Sequence, residues 1–170
     1  KSIISLDNRD SKYFVTLSIS RFFKLLSSKL TTKQMNMEIE VYITTQPEDR
    51  QKILSDIHRV ILENDKSVIA CVELMMGKEM IVYKGKGVMK YGLASVKNYI
   101  SLHLMPIYGS IRLHSKYKTL LPLANFQKGC INFNNVNEMP IEIVRKLIID
   151  CSSFDLTKMR EEYLKSKKAM

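Results

Sequence analysis

Acidic side chains concentrate in residues 35–66, which carry seven Asp or Glu against four Lys or Arg. Within a predicted helix there, Glu48, Asp49 and Asp56 offer carboxylate oxygens, hard ligands that can hold iron. Asp49 and Asp56 are seven residues apart and therefore share a helix face. These three carboxylates are the predicted metal site. Basic residues are interleaved with them, so the alternative is an outer helix face whose charges only keep it solvated.

A second candidate site lies on a predicted strand, Tyr99–Met105. Because side chains alternate along a strand, His103 should share a face with Tyr99, away from the aliphatic residues. Together with Lys90 and Lys97, these two residues form a candidate cleft for a cofactor or another ligand.

Metal binding through histidine is the alternative at this strand. His103 and His114 are eleven residues apart, and Glu73 or Cys130 could complete a ligand set with them. Nothing in the spacing requires such a set. A single histidine on a strand is more often a surface residue or a hydrogen-bonding partner.

No motif in the chain specifies a reaction. There is no Gly-x-Ser-x-Gly nucleophile elbow and no cysteine in a recognisable catalytic context. Residues 84–87, Lys-Gly-Lys-Gly, lack the spacing of a phosphate-binding loop, and a hairpin turn is expected instead. The sequence therefore favours a non-enzymatic protein.

The three cysteines indicate a compartment. Cys71, Cys130 and Cys151 are widely spaced in apolar surroundings, without a Cys-x-x-Cys motif. They are expected to be reduced and mostly buried, which is typical of a cytoplasmic protein. No apolar run approaches the roughly 18 residues needed to span a membrane.

A basic surface interleaved with tyrosines is a further candidate site. The formal net charge is +10, and residues 67–124 carry eight Lys or Arg against two Asp or Glu. Such a surface can contact phosphates and stack bases. The residues are Lys84, Lys86, Lys90, Lys97, Arg112, Lys116 and Lys118, with Tyr83, Tyr91, Tyr99, Tyr108 and Tyr117. A cleft between the sheet and a helix at 111–121, for a small anion or a protein partner, is the alternative.

Strands and helices must position these residues. Alternation predicts the strands Glu79–Tyr83, Val88–Ser95, Tyr99–Met105 and Gly129–Phe133. Helical spacing predicts the helices Glu38–Ile43, Ile111–Leu121, one after Pro140 and one at Leu156–Lys168, and a long helix that ends near Asn64. That long helix should start with Thr45 or Gln46 as its cap and Pro47 in its first turn. Residues 67–76 fit a strand or a short buried helix. This order of elements predicts an α+β fold, an antiparallel sheet packed against helices.

The chain is expected to contain one domain at residues 37–153, with appendages at 1–36 and 154–170. The first appendage contains apolar residues at helical spacing from Val15 to Leu30 on a basic background. It is interpreted as a docking helix or as residues that are not native, with Met35 and Met37 as candidate starts. The last appendage is predicted to be a charged helix.

From Glu40 to about Cys151 the chain resembles the YdhG-like domain family of bacteria. The resemblance rests on the order of YITTQPEDRQKILSDIHRVI, VEL-MMG, VYKGKG, KNYISLHL, FQKGCINF and MPIEIVRKLI. Members of the family are similar to a bacterial frataxin-like iron chaperone. The resemblance implies a compact α+β fold, iron binding or delivery, and iron–sulfur assembly proteins as partners.

Two departures from the family pattern bear on function. Gly77-Lys78-Glu79 lacks the proline of the family's Gly-x-Pro step, and Tyr99 stands where the family often has histidine. The leading hypothesis is a cytoplasmic iron-binding or iron-delivery protein. The alternative is a basic module for nucleic acid or a small anionic or phosphorylated ligand. A homo-oligomer is a further expectation.

Overall fold

A computed structural model of the chain describes residues 31–75, 77–158 and 161 of the 170. The chain divides into two compact units, Lys1–Met37 and Glu38–Met170. In the first unit residues 31–37 are helical, and the amphipathic helix predicted at Val15–Leu30 lies outside the described residues.

The second unit is an α+β domain, as predicted. Its helices are α1 (residues 38–44), α2 (Glu48–Asn64), α3 (Met105–Gly109), α4 (Ile111–Leu120) and α5 (Ile141–Ser152). Its strands are β1 (Val68–Met75), β2 (Lys78–Gly85), β3 (Val88–Val96), β4 (Tyr99–Leu104), β5 (Asn125–Phe126) and β6 (Cys130–Phe133). Residues 156–158 and 161 are also helical, and the other residues of the predicted final helix lie outside the described part.

The six strands form one antiparallel sheet in the order β1-β2-β3-β4-β6-β5. Two-residue turns join β2 to β3 and β3 to β4. In the first turn Lys86 and Gly87 have φ values of 51° and 79°, the left-handed pair that matches the twist of a tight hairpin. Arg50 of α2 binds the second turn, where its guanidinium donates to the carbonyls of Val96 and Lys97.

Helices α2 and α5 cover one face of the sheet, which we call the front face. Its strand side chains, such as Leu93 and Leu102, have no exposed surface and belong to one core with Ile57 of α2 and Leu147 of α5. The apolar residues of β4 face this core, as the alternation predicted. The opposite face, which we call the back face, carries a separate small cluster around Met80, Val82 and Ala94.

A β-bulge reverses the side of the sheet on which Lys90 lies. The register pairs Tyr83 with Tyr91 but Lys84 with Met89, so Lys90 is the extra residue of β3. Simple alternation would place Lys90 on the back face. The bulge instead sends its side chain to the front face, beside Tyr91.

Lys90 forms a buried ion pair with Asp65, which follows α2. The lysine is 4% exposed and the aspartate 3%, with Nζ lying 2.9 Å from Oδ2. Lys90 also donates to the Ser152 carbonyl at 2.8 Å, and Tyr91 donates to Asp65 Oδ2 at 2.8 Å. Burial alone would raise the pKa of Asp65, but hydrogen bonds from Ser67, Lys90 and Tyr91 outweigh it and lower the pKa.

Three details differ from the sequence predictions. Pro47 is itself the N-cap of α2, with no side-chain cap, whereas the Thr45 hydroxyl donates back to the Tyr42 carbonyl at the end of α1. The predicted strand Tyr99–Met105 ends one residue earlier, at Leu104, because Met105 and Pro106 begin α3, a helix that was not predicted. The two-residue strand β5 was not predicted either.

Candidate functional site

Polar side chains gather on the back face where β4 pairs with β6. The register sets His103 opposite Cys130 and Ser101 opposite Asn132. Because each pair sits directly across two antiparallel strands, its side chains project from the same face of the sheet. His103 therefore points away from the front core, as predicted.

His103 and Cys130 are in direct contact. The Cys130 sulfur lies 2.9 Å from Nδ1 of His103, within hydrogen-bonding distance. In the neighbouring pair, the Ser101 hydroxyl donates to Asn132 Oδ1 at 2.7 Å, and both residues are buried. The two pairs thus form one polar cluster on alternate rungs of the β4–β6 ladder, on either side of the Leu102–Ile131 pair that faces the core.

His103 and Cys130 are both uncharged at neutral pH. Burial, and then the nearby positive charge of Lys78, lower the pKa of His103. Burial raises the pKa of the Cys130 thiol, and a side-chain hydrogen bond with Ser101 only partly offsets this effect. The pair is therefore a thiol and a neutral imidazole that share one hydrogen between Sγ and Nδ1, which makes Cys130 a weak nucleophile at rest.

The cluster lines a groove of about 190 Å³. Its apolar part comes from Met75, Met80, Ala94 and Val96. Its polar part comes from Lys78, Tyr99, Ser101, His103, Gln127, Cys130 and Asn132. Among the described residues no Asp or Glu lines this groove, so its only full charge is the positive charge of Lys78.

The structure brings together two of the four residues predicted for the cleft. Tyr99 and His103 both line the groove. Lys90 is on the front face, held by Asp65. Lys97 is exposed in the turn between β3 and β4, outside the groove lining.

The carboxylates of the predicted iron site are not gathered around one point. Asp56 is bound by Lys52 at 2.7 Å and by Arg59 at 3.0 Å, and these two bonds lower its pKa. Glu48 and Asp49 lie in the first turn of α2. In the described part of the chain, no three His, Cys, Asp or Glu side chains are grouped so that they could hold a metal ion.

The tyrosines of the predicted nucleic-acid surface are divided between the core and the surface. Tyr83, Tyr91 and Tyr117 have no exposed surface, and their hydroxyls contact His58, Asp65 and Asp150. Burial raises the pKa of each of these phenols. These three tyrosines therefore cannot stack on bases.

A larger cavity of about 400 Å³ lies beside α3 and α4. It is lined by Ile107, Tyr108, Ile111, His114 and Lys128. His114 contacts the Gln127 carbonyl through Nε2 at 3.2 Å. This cavity is close to the predicted cleft along helix 111–121, but it is separate from the groove that His103 lines.

Four polar lining residues were not predicted from the sequence: Lys78, Ser101, Gln127 and Asn132. Ser101 could have been found, because alternation in β4 places it beside His103. Asn132 could have been found in the same way from its spacing to Cys130 in β6. Lys78 and Gln127 flank strand ends, and their positions depend on the pairing of the whole sheet.

Comparison with known proteins finds no matching family model, no matching curated protein and no matching solved structure. The YdhG-like resemblance stays a prediction. Across the described residues, every helix is too short or too polar to cross a bilayer.

Proposed function

We propose that the protein binds a small anionic ligand in the back-face groove. The proposal corresponds to the anionic-ligand alternative raised by the sequence. The observation that carries it is the 2.9 Å contact between Cys130 Sγ and His103 Nδ1. Iron handling remains the prediction drawn from the family resemblance.

The contact favours one tautomer of His103. The raised pKa of Cys130 keeps its thiol protonated, and an imidazole nitrogen is a better acceptor than a thiol sulfur, so the thiol donates to Nδ1 and the imidazole carries its hydrogen on Nε2. His103 then presents an N–H donor rather than a lone pair. An anion accepts hydrogen bonds, so this tautomer suits an anionic oxygen.

The rest of the lining has the same character. Lys78 supplies a positive charge, and Tyr99 and Gln127 can donate through a hydroxyl and an amide. With no carboxylate among the described lining residues, nothing there would repel an anion. The volume of about 190 Å³ is below the roughly 300–1,000 Å³ of drug-sized pockets, which favours a small carboxylate or phosphate compound.

The test is a titration of the full chain with inorganic phosphate and, separately, with succinate, followed by ¹H–¹⁵N NMR. The expected result is saturable shifts at His103, Gln127 and Asn132. Replacement of the charged group, in Lys78→Met, or of the donating group, in His103→Leu, should weaken binding at least tenfold, because a hydrogen bond to a charged group contributes about 1.5–3 kcal/mol.

The matched control is Lys97→Met. This change removes an exposed lysine from the β3–β4 turn and so lowers the net charge as much as Lys78→Met does, but outside the groove. Its affinity should equal that of the unchanged protein. Equal losses in Lys78→Met and Lys97→Met would mean that the anions respond only to overall charge, and the proposal would fail.

A further inference from the structure

The two edges of the sheet are protected very differently. β5, at one edge, is only two residues long. β1, at the other edge, is eight residues long and pairs with β2 without a register shift. Its sequence, VIACVELM, contains no proline and no lysine. Long, flat edge strands without such features readily accept another strand, because one row of their backbone groups is unpaired.

Two apolar side chains of β1 are strongly exposed. Ile69 is 67% exposed on the back face, and Leu74 is 71% exposed on the front face. They lie near opposite ends of the same strand. Charged residues usually protect such positions on a solvated edge strand, so two exposed apolar side chains on a long unpaired edge are typical of a strand that pairs with another chain.

We propose that β1 pairs with β1 of a second copy of this chain, antiparallel and around a two-fold axis at Val72. An isologous interface requires a surface that complements itself, and β1 does so in this register. Ile69 then lies opposite Met75 of the second copy, and Ala70 lies opposite its Leu74. Val72 meets its own equivalent at the axis.

One pair in this register is not wholly apolar. Cys71 lies opposite Glu73 of the second copy, but Glu73 is already paired with Lys84 of the neighbouring strand, which offsets its charge. A two-fold axis one residue earlier, at Cys71, would set the exposed Ile69 against Glu73. Cross-strand complementarity therefore favours the axis at Val72.

The first experiment is sedimentation equilibrium of the full chain over a wide concentration range. The dimer should have twice the 19.7 kDa mass of the chain. Ile69→Lys and Leu74→Lys, each at an exposed position that tolerates a charge, should sediment as monomers. Ile111→Lys is the matched control, because Ile111 is 88% exposed on α4, away from β1, and this variant should stay dimeric.

The second experiment tests the register. In the double variant Cys71→Ser/Val72→Cys the introduced thiol faces its own equivalent, at the cross-strand distance that a disulfide spans. Mild oxidation should therefore produce a covalent dimer. The proposal is overturned if the unchanged chain is monomeric throughout, if it forms larger assemblies, or if both lysine variants remain dimeric. A disulfide through Cys71 of the unchanged chain, without one through the introduced thiol of the double variant, would overturn the register.

Discussion

The front and back faces of the sheet treat polar groups in opposite ways. On the front face, Lys90 and Asp65 are buried together, and each has hydrogen bonds to further groups. On the back face, Lys78 and the donors around His103 line a groove without a carboxylate among the described residues. On the front face each buried charge depends on its partner, because loss of either one would leave the other buried and uncompensated. On the back face the donors have no carboxylate among the described lining residues, which leaves them available to the ligand that we propose.

The largest expected effect comes from breaking the buried pair. Asp65→Ala would leave the Lys90 ammonium buried without its counter-ion, which should destabilise the domain by about 3–5 kcal/mol. Urea unfolding followed by circular dichroism measures the loss. Additional removal of the charge, in Asp65→Ala/Lys90→Met, should recover part of it.

The matched control is Glu73→Ala. Glu73 also pairs with a lysine, Lys84, but both side chains are about one-third exposed, at 36% and 35%. The loss should be at most about 1 kcal/mol, as for other exposed ion pairs. If the two alanine variants lost equal stability, the contrast between a buried front-face pair and an exposed back-face pair would be wrong.

A smaller effect is expected from pH. Burial lowers the pKa of His58, whose Nδ1 lies 2.9 Å from the Tyr83 hydroxyl on the front face, and also lowers the pKa of His103. The unfolded chain therefore binds more protons than the folded chain below the unfolded pKa of about 6.5. The stability that both neutral histidines contribute is present above that pH and is lost as the pH falls through their folded-state pKa values.

Sulfate, whose charge does not change between pH 7.5 and 5.5, should separate the contributions of the two histidines. An anion in the groove favours the charged form of His103, so it should reduce the loss of stability on acidification, and its own affinity should rise as the pH falls. Urea midpoints at pH 7.5 and 5.5, with and without sulfate, measure both effects. In His103→Gln the pH dependence of the sulfate effect should vanish, while the loss of stability due to His58 should remain. A sulfate effect with the same pH dependence in this variant would contradict the groove assignment.

Most of the fold followed from the sequence because local patterns determine it. The alternation in β4 predicted which of its side chains enter the core, and the apolar spacing of α2 predicted its buried face. The exceptions have physical reasons. The two residues of β5 are too few to show a period, and the proline in α3 fits a strand end as well as a helix start.

The site followed only in part, because its geometry is not local. Cys130 is 27 residues from His103 and reaches it only through the pairing of β4 with β6. The sequence suggested that these two residues could meet, but it could not establish the register. Lys90, in contrast, was predicted to line the cleft and does not. The β-bulge at Lys90 cannot be read from a sequence pattern of period two, and it places the lysine side chain in the core instead of the predicted cleft.

We propose that Cys130 makes His103 a hydrogen-bond donor in the groove, and the tautomer of His103 is the most direct test. Long-range ¹H–¹⁵N NMR of the full chain at pH 7.5 distinguishes the two ring nitrogens. We expect a hydrogen on Nε2 and a shift of that resonance when phosphate is added. A hydrogen on Nδ1, with Nε2 unprotonated and unaffected by phosphate, would contradict this proposal.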